Sequence, residues 1–444
     1  MKKVLILGAG LVAKPMVEYL LEKGYGLLMA SPMKDRADEM IAGNPLGSSL
    51  DWSMDDPVVL EKLVAEYDIT VSLLPYKYHA DVARLCLKHR KNLITTSYVQ
   101  PQMMALDEAA KEQGILFLNE LGLDPGIDHM TAMKIIDYVH MNSGRVEGFY
   151  SLCGALPAPG NADNPLGYKF TWSPKGVILA SRNSALYLKN GKETFIDAVN
   201  LFKDRFSYHF PGIGELEVYP NRDSISYTDI YGISGTRTMY RGTLRYKGWC
   251  ETLDAMKSMN MLDDKVAGYK GKTWSDFLAS MAGADKRGLR KNIATKLGVA
   301  ESSVTIRSLE FLGFFSDERL PYGEATPFDI TSDRMIERMM LGENEKDVVL
   351  LQHIVHAKYP NGKEEVIRST MTDYGSPSTN TAIARTVALP AAIATRLVLE
   401  NKIMLSGVYR PVVPQIYTPI LHELKSLGIE MNEEYGLPVS EMLK

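Results

Sequence analysis

The stretch Val4-Leu5-Ile6-Leu7-Gly8-Ala9-Gly10-Leu11-Val12-Ala13-Lys14-Pro15 decides the fold. An apolar run enters a G-x-G-x-x-A turn and a helix follows at once, which is the entry of a dinucleotide-binding unit. Gly8 permits the tight turn, Gly10 lets backbone approach a pyrophosphate, and Ala13 lets the helix lie close on the sheet. The helix amides then face the phosphates beside Leu11 and Val12. The spacing predicts a helix from Lys14 to Glu22, a stop at Lys23-Gly24 and a second strand through Gly26–Ala30, the pattern of a right-handed crossover. The run is not read as a secretory signal, because two glycines break it and Lys14 and Pro15 follow without a small-residue cleavage site.

Strand and helix patterns keep alternating. Leu46–Leu50, Ile69–Leu74, Asn92–Thr96 and Ile115–Asn119 read as strands; Pro57–Glu66, Tyr78–His89 and Pro101–Gln113 read as helices. This predicts an α/β fold with a Rossmann-type, doubly wound parallel sheet. After Gly144 glycine and aromatic residues multiply. Arg145–Cys153, Tyr168–Trp172 and Tyr240–Gly248 then suggest an antiparallel or mixed sheet. Residues 251–344 read as a mostly helical subdomain. Val348–Ala357 and Gly362–Thr372 resemble a hairpin closed at Asn361-Gly362. Ser376–Asn401 is a nearly all-round apolar helical stretch that must be buried. The expected domains are 1–124, dinucleotide-binding, with 376–430 as a candidate to complete it; 125–250 with 345–375, a mixed-sheet substrate and dimerisation domain; and the helical 251–344.

With 444 residues, two or three domains are expected at about 150 residues each. The hydrophobic share of 45%, charged share of 23% and net charge of −4 describe an ordinary soluble protein and argue against nucleic acid as partner. Three cysteines and eight histidines show no metal-ligand spacing, and His353 and His356 would fall on opposite faces of a strand. No metal and a reducing cytoplasm are the simplest expectations. No apolar run approaches the roughly 20 residues a bilayer requires, so no membrane span is expected.

Ligands in an open parallel sheet lie beyond the carboxyl ends of its strands. Three exits are therefore candidates: Leu74-Pro75-Tyr76, Thr95-Thr96-Ser97-Tyr98 and Glu120-Leu121-Gly122-Leu123-Asp124-Pro125-Gly126. Ser97 and Tyr98 are equally compatible with turn chemistry. Asp124 before Pro125 reads either as the cap of a helix Ile127–His140 or as a carboxylate that orients an amine or shuttles a proton. If Tyr240–Gly248 is a strand, Arg241, Thr243, Arg245 and Lys247 share one face, which is either solvated or a clamp for carboxylates. Arg222 is a further cation, or the partner of Asp223. Cys153 and Cys86 read as packed residues, and His129 as a residue that caps or packs.

Together, GAGLVAKP, SLLPYKYH, TTSYV, ELGLDPGIDHM, LPAPGNADNPLGYKFTWSPKGV, YPNRDS, YGISGTRTMYRGTLRYKGW and TAIARTVALPAAIA resemble the glutamate-forming saccharopine dehydrogenase family across nearly the whole chain. The resemblance implies NADP- or NAD-linked interconversion of saccharopine with glutamate and 2-aminoadipate 6-semialdehyde, in lysine metabolism. It implies a Rossmann domain, a mixed-sheet domain, a helical domain and a homodimer. It places Ser97 and Leu123 at the cofactor, and the candidate cofactor residues are then Gly8, Gly10, Leu11 and Val12 of the glycine turn, Ser31 and Arg36 after the second strand, Leu74, Ser97 and Leu123. Ser97, Tyr98, Asp124, Phe170, Arg222, Thr243, Leu244 and Arg245 would meet substrate, with Tyr98, Asp124 and Cys153 near the reacting carbon.

Two departures from the family pattern carry expectations. Ala30-Ser31-Pro32 replaces the acid that would bind a ribose 2′-hydroxyl, and Lys34 and Arg36 follow, which favours NADP; Asp35 keeps NAD as the alternative. Gly167 stands where an Arg is frequent, which predicts a shift of substrate preference. The competing readings are a related imine reductase making a carboxylated polyamine, whose cationic substrate would call for acids rather than arginines, and a non-catalytic nucleotide-binding regulator.

Overall fold

The computed structural model describes residues 1–377 and 380–443, so Ser378 and Thr379, within the stretch opening at Ser376, lie outside the described residues. The chain forms two compact units: Met1–Glu147 with Ile230–Ser234 and Leu351–Lys444, and Gly148–Asp229 with Gly235–Leu350.

The first unit begins with β1 (Lys3–Leu7), α1 (Lys14–Glu22), β2 (Gly26–Ser31), α2 (Lys34–Ile41), β3 (Gly47–Asp51), α3 (Pro57–Glu66), β4 (Ile69–Ser72), α4 (His79–Lys88), β5 (Asn92–Thr95), α5 (Pro101–Met104), α6 (Asp107–Gln113), β6 (Leu116–Leu118) and α7 (Ile127–Met141). The strands form a seven-stranded sheet in the order Gly407–Tyr409, β6, β5, β4, β1, β2, β3, with every pairing parallel. That is the 3-2-1-4-5-6 Rossmann order, with a strand near the C-terminus added beside β6. Apolar strands and helix stripes sandwich a core that includes Leu5, Leu7, Leu28, Val82, Leu93 and Phe117. The sheet has a topological switch between β1 and β4, and the loops after both strands open at its carboxyl edge.

The helix Ala382–Leu399 is 18 residues long with mean hydropathy 1.5, enough by length and composition to cross a membrane. Its apolarity has another cause. It packs on α1 and on the helix Pro414–Ser426 and is mostly buried within the first unit. The strands Asp347–Lys358 and Glu364–Tyr374 close through Asn361-Gly362, where the Tyr359 amide donates to the Lys363 carbonyl at 2.9 Å.

The second sheet is mixed and has nine strands. In the second unit the strand Thr238–Arg245 runs parallel to the strand Arg145–Pro157 and antiparallel to Gly214–Pro220, which pairs with Phe206–Phe210. Residues 251–344 are mainly helical, with helices at Trp274–Ala282, Leu289–Leu297, Val304–Phe311 and Pro327–Met339.

Four local expectations are corrected. Tyr168–Trp172 is not a strand: it makes one bridge, Phe170 to Met340, because Gly167 turns the chain at φ +59° and the aromatic rings pack inward. The strand expected to reach Gly248 ends at Arg245, which leaves Lys247 exposed on the turn into Trp249–Ser258. Pro101–Gln113 is two helices. Helix α7 is capped by Gly126, not Asp124; Asp128 Oδ1 accepts from the Gly126 amide at 2.6 Å, and a Cβ on Gly126 would strike the Gly122 carbonyl.

Candidate active site

In the first unit the candidates gather at the carboxyl edge of the sheet. Gly8 adopts φ +106°, a conformation that favours glycine, and its amide donates to the Ala30 carbonyl at 2.9 Å. A Cβ on Gly10 would meet nothing within 4 Å, so open space lies over the turn where a pyrophosphate fits. Ala13 is fully buried, and α1 starts with neither a side-chain cap nor an acid in its first turn, leaving its amides available to an anion. Leu11 is partly exposed beside the turn, as are Val12 and, across the switch, Leu74.

The end of β2 fits a 2′-phosphate. Ser31 is buried and accepts from the Met33 amide at 3.1 Å, and no acid stands there. Lys34 is paired with Asp38 at 2.5 Å, so it is not the cation for the phosphate. Arg36, half-buried on α2, has no carboxylate partner among the described residues. A half-buried guanidinium without a counter-ion matches the double charge that distinguishes NADP from NAD.

Beyond β5 and β6, the Tyr98 hydroxyl donates to Asp124 Oδ1 at 2.8 Å, joining two loops. Leu123, buried, bridges Gly126 in the same turn. Glu120, which sequence reasoning left aside, ties these loops together: its amide donates to the Ser97 carbonyl at 3.2 Å, and its Oε1 accepts from the Val99 amide at 2.8 Å and from Arg410 Nε at 2.9 Å. Its other oxygen lies 2.8 Å from His129 Nε2, while His129 Nδ1 meets the Tyr231 hydroxyl at 2.6 Å. Burial pushes the Glu120 carboxyl up, but His129, Arg410 and the Val99 amide prevail and hold it below its ordinary value. His129 is therefore a packed, bonded residue of a polar network. His79, also unforeseen, reaches both Ser72 and Ser97.

In the second unit the parallel pairing sets Cys153 against Thr243 in register. Arg241 and Arg245 are 2% and 6% exposed, so the cationic strand face is not a solvated one. Arg241 lies over the Tyr227 ring at 4.4 Å. Arg245 lies 4.9 Å over Tyr168 and donates to the Leu244 carbonyl at 2.8 Å, yet no carboxylate pairs with it among the described residues and its Nε has no hydrogen-bond partner. A buried guanidinium left so is costly unless an anion arrives.

Arg222, at φ +51°, follows the strand Gly214–Pro220, next to Asn221, whose amide donates to the Arg241 carbonyl. Asp223 accepts from the Ile225 and Ser226 amides, so its carboxylate serves the turn. The Phe170 and Leu244 side chains are fully buried, Phe170 edge-on to Tyr168 and Trp249, and support the site as packing. A Cβ on Gly167 would lie 2.7 Å from that of Tyr246, so its glycine is required by this turn.

Comparison with known proteins identifies the family of the chain. Residues 4–118 match the family model "Saccharopine dehydrogenase NADP binding domain", and residues 122–429 match "Saccharopine dehydrogenase C-terminal domain". The saccharopine dehydrogenases [NADP(+), L-glutamate-forming] of Schizosaccharomyces pombe and Saccharomyces cerevisiae are 38% and 37% identical, covering 98% and 99% of this chain and 99% of each of theirs. The mouse mitochondrial alpha-aminoadipic semialdehyde synthase is 35% identical over 98% of this chain and 48% of its own. The solved structure of the apo, histidine-tagged Saccharomyces cerevisiae saccharopine dehydrogenase (L-Glu forming) superposes with a TM-score of 0.89, covering 98% of this chain and all of that one. The chain belongs to the saccharopine dehydrogenase family.

Proposed function

We propose that this protein is an NADP-linked, L-glutamate-forming saccharopine dehydrogenase. It converts saccharopine, NADP+ and water to glutamate, 2-aminoadipate 6-semialdehyde and NADPH with a proton, or runs the reverse. The observation that carries this reading is the end-to-end likeness to fungal enzymes of that name, 37–38% identical with both chains almost fully covered. The likeness supports saccharopine over a carboxylated polyamine, and so do the buried arginines.

The bound nicotinamide supplies a hydride acceptor or donor. The glycine turn and the α1 amides hold its pyrophosphate, and Arg36, with Ser31 beside it, takes the 2′-phosphate. Saccharopine carries three carboxylates around a secondary amine, so it suits a chain with Arg222 and Arg245 to neutralise carboxylates and Thr243 to bond one. In the first unit Tyr98 and Asp124 orient the amine and accept or return its proton. The protein mainly positions and polarises; the redox chemistry is the cofactor's.

In this reading residues 1–124, completed by 376–430, carry the cofactor, and 125–250 with 345–375 and the helical 251–344 carry the substrate side. Three buried cysteines outside any disulfide and a net charge of −4 support a reducing cytoplasm and a small-molecule partner rather than nucleic acid. Lysine metabolism and a homodimer follow from the family. The test is NADP+ reduction followed at the reduced-cofactor absorbance with saccharopine; no turnover with saccharopine in either direction would overturn the assignment.

A further inference from the structure

His79 opens α4 and is buried between two serines. Its Nδ1 lies 2.9 Å from Ser72 Oγ at the end of β4, and its Nε2 lies 2.9 Å from Ser97 Oγ beyond β5. Burial lowers its pKa to about 4, so the ring is neutral in the working range and carries one N–H. One serine must then donate to the ring and the other must accept from it.

The surroundings choose between the two. Ser72 is completely buried, and the ring is the only partner of its hydroxyl among the described residues. Buried hydroxyl protons are paired in folded proteins, so Ser72 donates to Nδ1. The N–H is therefore on Nε2 and donates to Ser97. Ser97 is partly exposed, and its own proton has no protein partner among the described residues.

We infer that His79 is a positioning residue whose tautomer, fixed by Ser72, presents the Ser97 hydroxyl outward as a hydrogen-bond donor to a carbonyl or carboxylate oxygen of a bound ligand. Two sources have that chemistry, the carboxamide of the nicotinamide and a carboxylate of the substrate. The inference rests on the proposed function only for the identity of that ligand.

Two measurements test it. The 15N spectrum of protein labelled at histidine, with the His79 signals assigned from a His79→Gln sample, reports the tautomer at pH 7 directly. Protonated Nε2 with bare Nδ1 is expected; the opposite tautomer, or a doubly protonated ring, overturns the inference.

The second measurement compares Ser97→Ala, His79→Ala, His79→Gln and the double alanine variant, reading NADPH affinity by fluorescence titration and saccharopine KM and kcat by absorbance. Ser97→Ala and His79→Ala should weaken the same ligand about tenfold, the worth of one hydrogen bond in a desolvated site. The double variant should be no worse than Ser97→Ala, since His79 acts through Ser97. Gln keeps a donor near the Nε2 position, so His79→Gln should recover most of the loss. Which arm falls, NADPH or saccharopine, names the ligand oxygen. Additive losses, no recovery with Gln, or a lowered Tm with both affinities unchanged would overturn the inference. Failure of the proposed function is seen separately, as wild type that binds NADPH without turning over saccharopine.

Discussion

The Tyr98 hydroxyl donates to Asp124 Oδ1 at 2.8 Å, so the loop leaving β5 and the loop leaving β6 present a phenol and a carboxylate as one hydrogen-bonded pair. Asp124 does not cap α7, whose first residue is preceded by Gly126. Its carboxylate is therefore not spent on the helix start, and a stability cost from lost capping is not expected. Asp124→Asn should lower kcat about 10²- to 10⁴-fold, the usual worth of a positioned acid–base group, with Tm nearly unchanged. Tyr98→Phe should lower it less, since the carboxylate stays. Steady-state kinetics beside a thermal melt decide; normal turnover in Asp124→Asn would remove Asp124 from the mechanism.

Cofactor preference should reside in Arg36. Lys34 is committed to Asp38, and Arg36 alone of the two has no counter-ion among the described residues. Arg36→Ala should raise the NADPH KM roughly ten- to a hundredfold, on the order of 1.5 to 3 kcal/mol for a charged hydrogen bond, and leave NADH use almost unchanged. Unaltered discrimination between the two cofactors would place 2′-phosphate recognition elsewhere.

Buried Glu120 makes stability depend on pH. Its folded pKa lies below the ordinary value of about 4.3, so its contribution is present above that pH and is lost as pH falls through the folded pKa. Glu120→Gln leaves Arg410 and His129 without their carboxylate and should cost on the order of 3 kcal/mol at pH 7. Urea unfolding between pH 7 and pH 3 checks this: the gap between wild type and variant should hold down to about pH 4.3 and narrow below it, and a gap independent of pH would contradict it.

How far the sequence shows all this depends on the range of the interactions. The glycine turn, the strands β1, β2 and β4 and the helix Pro57–Glu66 are legible because glycine geometry, apolar runs and an Asp56–Pro57 start are local signals. Helix α2, which carries Arg36, is the charged run KDRADEMI, whose apolar stripe is only Ala37, Met40 and Ile41, too short to read as a helix face. Tyr168–Trp172 alternates like a strand, yet ring packing and the Gly167 turn override the pattern. His79 and Glu120 were illegible as site residues because their meaning lies in distant partners: Glu120 meets Arg410 across 290 residues, and Ser97 stands 18 residues beyond His79.

Arg245 gives the sharpest test, because stability and function should move in opposite directions there. The guanidinium is buried against Tyr168 and Trp249 and has no carboxylate among the described residues, so the ligand-free protein carries an uncompensated cation. Arg245→Met keeps comparable volume and removes the charge. It should leave the unliganded protein at least as stable as wild type, the common trade of stability for a preorganised site. Saccharopine should then lose a charge-assisted contact worth about 1.5 to 3 kcal/mol, a ten- to hundredfold rise in KM, while the NADPH KM stays near wild type. Arg245→Lys keeps charge without the planar fork and should fall between the two. A Met variant that melts lower and binds saccharopine normally would make Arg245 a packing residue and move carboxylate recognition to Arg222.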